Sequence, residues 1–211
     1  PIHAGGMPVV FLTSYHLLKT RGQVQPGDTV LVHSGASGVG TVAIQLAKAW
    51  GAKVIATAST QDKLDLARSL GADITINYTT DDFEEAVQQE TGGKGVELVL
   101  EAVGGPVLEK SLRLVATCGR LITYGEASGV LASLSSSDIS GSNRTIISFS
   151  MGRTPVGSLN HKSAMAELFQ MIAAGQARLV VDRVLPMASV AEAHRHLSNR
   201  GTRGKVILTT G

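Results

Sequence analysis

A chain of 211 residues, 43 % of them hydrophobic, is long enough to bury a full core. Its formal charge of +2, in a sequence only 17 % charged, makes no demand for nucleic acid. One cysteine, Cys118, excludes an intrachain disulfide framework and fits a reducing, cytoplasmic setting, while no apolar run approaches the ~18 residues of a membrane span.

In chain order, Pro8–Thr20 predicts a helix with Phe11, Leu12, Tyr15, Leu17 and Leu18 on a broad apolar face. Pro26-Gly27-Asp28 is a turn before the first strand, Thr29–His33. The small-residue turn Ser34–Gly40 leads into a helix burying Val42, Ile44, Leu46 and Ala47, and a second strand covers Lys53–Thr57. Thr60 is placed to cap a helix running to about Leu70, with Gly71 as its stop. A third strand at Ala72–Ile76, an acid-rich helix over about Asp81–Glu90 and a continuous apolar strand at Val96–Leu100 follow. Such a continuous run is expected when helices cover both sheet faces. Gly104-Gly105-Pro106 opens a helix through Val115, Gly119–Tyr124 is a fifth strand, residues 126–143 read as a loop with a short helix, and Arg144–Phe149 is a sixth strand. This βα alternation predicts an α/β, Rossmann-type doubly wound parallel sheet of order 3-2-1-4-5-6 over residues 1–160. Residues 161–211 read as a C-terminal extension: a helix at His161–Ala174, a short strand at Leu179–Val184, a helix around Val190–Leu197 and a last strand at Lys205–Thr209. Pro1 is not an initiator methionine, which fits either a processed chain or a domain cut from a longer polypeptide.

The turn Gly35-Ala36-Ser37-Gly38-Val39-Gly40 keeps the first and last glycines of the dinucleotide fingerprint, with Ser37 at its middle position. Small residues there let backbone N–H groups and a helix N-terminus approach a pyrophosphate. By itself such a turn is weak; between a strand and a helix, followed by a second strand, it points to dinucleotide binding. At the end of the second strand an NAD-selective site carries Asp or Glu for the ribose 2′-hydroxyl. Here the chain reads Ala58-Ser59-Thr60 with Lys63 one helical turn on, which suits a 2′-phosphate. Asp62 beside Lys63 weakens that reading, and Lys63 also reads as an ordinary solvated helix residue. His33 reads as a packed strand-end histidine or a cofactor contact, Cys118 as a small core residue, and His161 and Lys162 as a solvated helix start. His194 and His196 are two apart and point different ways on a helix. Metal and nucleophile motifs are missing, and no acid/base pair stands out, which nicotinamide chemistry tolerates because the cofactor carries the hydride.

The ordered stretches FLTSYHLL, PGDTVLVHSGASGVGTVAIQLAKAWGAKVIATAST, GADITINY, Val96–Gly105, GRLITYG and GKVILTT closely resemble the zinc-independent NADPH:quinone oxidoreductase branch of the medium-chain dehydrogenase/reductase superfamily. The resemblance implies NADP(H) as cofactor, no metal, and hydride transfer to an electron-poor acceptor, a quinone or related conjugated carbonyl. It equally admits an enoyl-thioester reductase domain of a polyketide or fatty-acid synthase, and a non-catalytic NADPH-binding regulatory or structural domain stands as a third reading. By resemblance, Thr13 lies near the nicotinamide end, and Ser37, Gly38, Val39 and Gly40 form the pyrophosphate turn. Ser59, Lys63, Tyr78 and Arg200 surround the adenosine 2′-phosphate. Ala102, Val103 and Gly104 border the cofactor, Tyr124 and Gly125 the nicotinamide ribose, and Phe149, Ser150 and Met151 the substrate cleft. Val9 stands where zinc-dependent relatives place a metal ligand. The family's N-terminal GroES-like catalytic domain has no counterpart here, the segment from His161 would normally brace it, and Arg144–Phe149 resembles an edge strand that pairs across a homodimer.

Overall fold

The computed structural model describes residues 1–140, 142–155 and 157–210, the side chain of Ile139 excepted. Six strands, β1 (Thr29–Val32), β2 (Lys53–Ala58), β3 (Ile74–Asn77), β4 (Val96–Glu101), β5 (Val115–Thr123) and β6 (Thr145–Ser148), form one parallel sheet of order β3-β2-β1-β4-β5-β6. Strand order reverses between β1 and β4, so the crevice at the carboxyl ends of those strands is the place where such a sheet binds ligands.

Burial on both faces explains the apolar runs. Val30, Val32, Val54, Ala56, Leu98, Leu100 and Ile122 join one cluster with α1 (Ile2–Tyr15), α2 (Gly38–Ala49) and α7 (His161–Ala173). Leu31, Ile55, Ile76, Val99 and Leu121 join a second with α4 (Phe83–Glu90) and α5 (Gly105–Arg113). The helix α3 (Gln61–Ser69) ends before Gly71, whose φ of +108° is the left-handed conformation a chain reversal needs. The short helix α6 (Ser136–Ile139) sits in the long loop after β5, closed by a Ser135/Asp138 capping box; Gly141 of that loop lies outside the described residues.

Some expectations change. The first helix begins at Ile2 rather than Pro8, because Gly6 packs so tightly on Leu179 and Ile207 that tertiary contact overrides the proline signal, leaving Pro8 inside the helix. It continues as a π-helical turn, His16–Arg21. Thr60 holds the N-cap position of α3, yet its hydroxyl donates to Asp62 Oδ1 rather than accepting from the helix. Cys118 is exposed, not core: it sits at φ +62° in a local distortion of β5, its N–H donating to the Ser142 carbonyl. His161 is half-buried and its Nδ1 lies 3.0 Å from His16 Nε2, tying α7 to the end of α1 instead of facing solvent.

The C-terminal stretch packs onto the first layer through α7 and a separate two-stranded parallel sheet, β7 (Val181–Pro186) with β8 (Lys205–Thr209), joined by α8 (Val190–Ser198). A bridge between Ser37 and Gly204, with Gly204 N donating to Ala36 O at 2.7 Å, fastens that sheet to the turn after β1.

Candidate functional site

The turn after β1 is a built structure. Ser34 takes φ +53°, and Ser37 caps α2, its Oγ accepting from Gly40 N at 3.0 Å. Ser37 itself lies at φ −73°, so the position that usually holds the middle glycine has no need of one. Gly40 does: a Cβ there would overlap the Ser34 carbonyl oxygen and lie 2.9 Å from Gly35 Cα. The first turn of α2 therefore presses against the loop backbone, and its N-terminus opens on the crevice beside β1 and β4.

That crevice is a cavity of about 730 Å³, large enough for a drug-sized ligand. Six of the residues singled out from the sequence line it: Ser37, Ser59, Lys63, Tyr78, Val103 and Arg200. At its β2 end, Lys63 Nζ donates to the Arg200 carbonyl and stands 3.5 Å from Ser59 Oγ. Asp62 points elsewhere: it takes the Thr60 hydroxyl and an ion pair from Arg203 at 2.9 Å, which together hold its carboxyl below the usual range. The acid that clouded Lys63 in the sequence is thus spent on other partners. Lys63, Arg200, Ser59 and Tyr78 line one end of a cleft with no carboxylate from the end of β2, an arrangement suited to a phosphate monoester, while Asp81 and Asp82 line the same cavity and Asp82 is paired with Lys110.

The remaining sequence candidates fall outside that cavity. Gly38 and Gly40 lie in the first turn of α2, and Val39 there packs against the same cluster as Tyr124, Phe149 and Met151. Thr13 is buried on α1, whose neighbouring Ser14 donates from Oγ to Val39 O at 3.0 Å. Phe149 is buried and its ring centroid stands 6.4 Å from that of His16; Met151 opens a short 3-10 turn after it. Ala102, Gly104 and Gly125 lie in two loops in close contact, where a Cβ on Gly125 would come within 3.3 Å of Ala102 O. Val39, Tyr124, Phe149 and Met151 thus belong to or pack against the core cluster on the face of the sheet that carries α1.

His33, read from the sequence as a packed strand-end histidine or a cofactor contact, forms part of the cavity wall and is packed: it is buried, with Nδ1 3.0 Å from Thr57 Oγ1 and Nε2 2.8 Å from Ser111 Oγ. Burial pushes its pKa down to about 4, so it is neutral at pH 7. Lys110, paired with Asp82 at 2.7 Å, and Phe83, Ala127, Ser128, Leu197 and Thr202 also line the cavity. The rule that ligands lie at strand carboxyl ends points to the loops after β4 and β5, but nothing in the local sequence announces Leu197 or Thr202.

A family model described as zinc-binding dehydrogenase matches residues 38–174, from the first turn of α2 to the end of α7. The chain belongs to the zinc-binding dehydrogenase family. Among similar proteins is a 2-haloacrylate reductase of Burkholderia sp., 35 % identical over 98 % of this chain and 63 % of that protein. A pikromycin polyketide synthase component of Streptomyces venezuelae is 34 % identical over 96 % of this chain and 5 % of its own length. The crystal structure of Escherichia coli quinone oxidoreductase complexed with NADPH superposes with a TM-score of 0.91 at 31 % identity, covering 98 % of this chain and 64 % of that one. The chain thus spans less than two thirds of these reductases. Despite the family's name, no three His, Cys, Asp or Glu residues come together among the described residues to hold a zinc ion, and the position of interest on α1, Val9, is an exposed aliphatic.

Proposed function

We propose that this chain forms the cofactor-binding part of an NADPH-dependent reductase acting on quinones or related conjugated carbonyls. The observation that carries the reading is the end of β2: Lys63, Arg200, Ser59 and Tyr78 share a cavity wall, and Asp62 is turned away to Arg203. The similarity to quinone oxidoreductase and 2-haloacrylate reductase supports the acceptor class, in which a carbon–carbon or ring double bond is conjugated to a carbonyl. No transmembrane helix candidate exists among the described residues, and a cytoplasmic enzyme fits the single cysteine.

When bound, NADPH supplies the hydride from its nicotinamide C4. The protein's own contribution is binding and orientation. Lys63 and Arg200 hold the 2′-phosphate by charge, and the backbone of Gly38, Val39 and Gly40 receives the pyrophosphate at the α2 N-terminus. Ala102, Val103, Gly104, Tyr124 and Gly125 border the nicotinamide ribose, and Thr13, Phe149 and Met151 shape the apolar pocket around the nicotinamide and acceptor, from which water is excluded. The outer edge of β6, unpaired among the described residues, joins a second copy in a homodimer. Residues 161–211 brace a catalytic domain carried on a longer polypeptide.

An enoyl-thioester reductase domain is the second reading, favoured by the similarity to a polyketide synthase component. Titrating the chain with NADPH and NADH, then assaying the longer polypeptide with a quinone, a 2-haloacrylate and an enoyl thioester, separates the readings. Tighter NADPH binding with quinone or haloacrylate turnover is the expected result. Turnover of the thioester alone selects the second reading, and NADPH binding without turnover of any acceptor rejects both in favour of a non-catalytic domain.

A further inference from the structure

Glu101 ends β4 at the point where strand order reverses, and it is fully buried. One of its carboxyl oxygens, Oε1, accepts from Val103 N at 2.5 Å and Gly104 N at 2.9 Å. The other, Oε2, is buried without a hydrogen-bond partner among the described residues. A buried acid whose second oxygen has no donor is an expensive group to keep, and neither the strand nor the core requires one at this position.

We propose that Glu101 is a positioning residue for the dinucleotide cleft, acting through the amides of Val103 and Gly104. By drawing both N–H groups inward, its carboxyl forces the loop after β4 to present its carbonyls sideways. Ala102 O then accepts from Ala127 N and Val103 O from Ser128 N, each at 2.9 Å. The loops after β4 and β5 are zipped together by these bonds, and glycine leaves no slack between them: a Cβ on Gly104 would lie 2.9 Å from Val130 O. Val103, Ala127 and Ser128, the residues so joined, all line the cavity. One buried carboxyl therefore sets a wall to which two loops contribute.

Burial, reinforced by the nearby Glu126 carboxylate, pushes the Glu101 pKa up despite the two amide donors that oppose the shift. The ionisable groups near Glu101 are Glu126 and Tyr124, whose phenol pKa is pushed up by burial and by Glu101.

The inference rests on the NADPH reading, so the wild-type chain is titrated first: no NADPH binding overturns both. With binding present, Glu101→Leu, which has no acceptor, is expected to lose tenfold or more in NADPH affinity while amide exchange at Val103 and Gly104 accelerates. Glu101→Gln, a neutral acceptor of the same shape, is expected to recover most of that loss and restore the protection. Wild-type affinity in a folded Glu101→Leu, even with a lowered melting temperature, would mean a purely structural role and overturn the proposal. So would a Glu101→Gln as weak as the leucine variant. If the leucine variant does not fold, the wild-type chain decides: NADPH must slow exchange at Val103, Gly104, Ala127 and Ser128 together, and unchanged exchange there overturns the assignment.

Discussion

Lys63→Ala tests the chemistry of the cleft at its most specific point. In the structure the ammonium already has an acceptor, the Arg200 carbonyl, and a weak one, Ser59 Oγ at 3.5 Å. The ammonium has three N–H donors, so a 2′-phosphate can take one that the Arg200 carbonyl leaves, in a charge-assisted bond worth about 1.5–3 kcal/mol. The loss on removing the side chain is about 1.5–3 kcal/mol, or roughly 10- to 150-fold in affinity. It should fall on ligands with the 2′-phosphate only. The C-terminal turn should stay in place, because Arg203–Asp62 and the Ser37–Gly204 bridge hold it independently. Calorimetric titration of wild type and variant with 2′,5′-ADP and with 5′-ADP, at one fixed ionic strength because exposed charges are screened, reads the difference directly. Equal losses for both nucleotides, or no loss for either, would refute the 2′-phosphate role.

Gly40→Ala should cost about 1–3 kcal/mol of stability by driving a methyl group into the Ser34 carbonyl; an unchanged urea midpoint would show that the turn yields. Ser37→Ala should cost about 1 kcal/mol by removing the α2 cap, and Ser37→Gly only a few tenths; equal losses in thermal unfolding would point away from capping. His33 is held neutral by burial with a pKa of about 4, below its ordinary 6.5, so the unfolded chain binds the extra proton between those values. Stability is accordingly complete above about pH 6.5 and falls as the pH drops toward 4, by up to about 3 kcal/mol from this group. His33→Asn should flatten that slope in urea unfolding at pH 7 and pH 4.5, with His16, also pushed down to about 4 by burial and by His161, supplying what remains; an unaltered slope would remove His33 from the account.

The six-stranded order was legible because each strand is a short, nearly unbroken apolar run separated by glycine turns, a pattern set by local composition and buried faces. The features that escaped depend on contacts distant in sequence. Pro8 stays inside α1, whose first turns pack through Gly6 against Leu179 and Ile207 from far along the chain. Cys118 reads as a small core residue beside a strand start, but it is exposed where the β4–β5 register is irregular and takes φ +62°. At the site, Ser59 and Lys63 could be found because the end of the second strand lacks the usual acid, and Tyr78 from the family resemblance. Asp62 could not be assigned from sequence, since its partner Arg203 lies far along the chain. Leu197 and Thr202 reach the cavity only through the docking of the C-terminal segment, and nothing in the sequence marks Glu101, whose burial only the fold reveals.

The stitch between Gly204 and the turn after β1 also has a meaning in time. A ribosome makes Gly204 more than 160 residues after Ser37, yet the cavity wall takes Arg200 and Thr202 from that later segment. The sheet can assemble from neighbouring βα units as they emerge, whereas the cleft is a contact of very high sequence separation and closes last. A nascent chain stalled before residue 200 would carry the glycine turn but lack the clasp around Lys63. Nucleotide present during synthesis would then meet a competent site only after the final strand has docked.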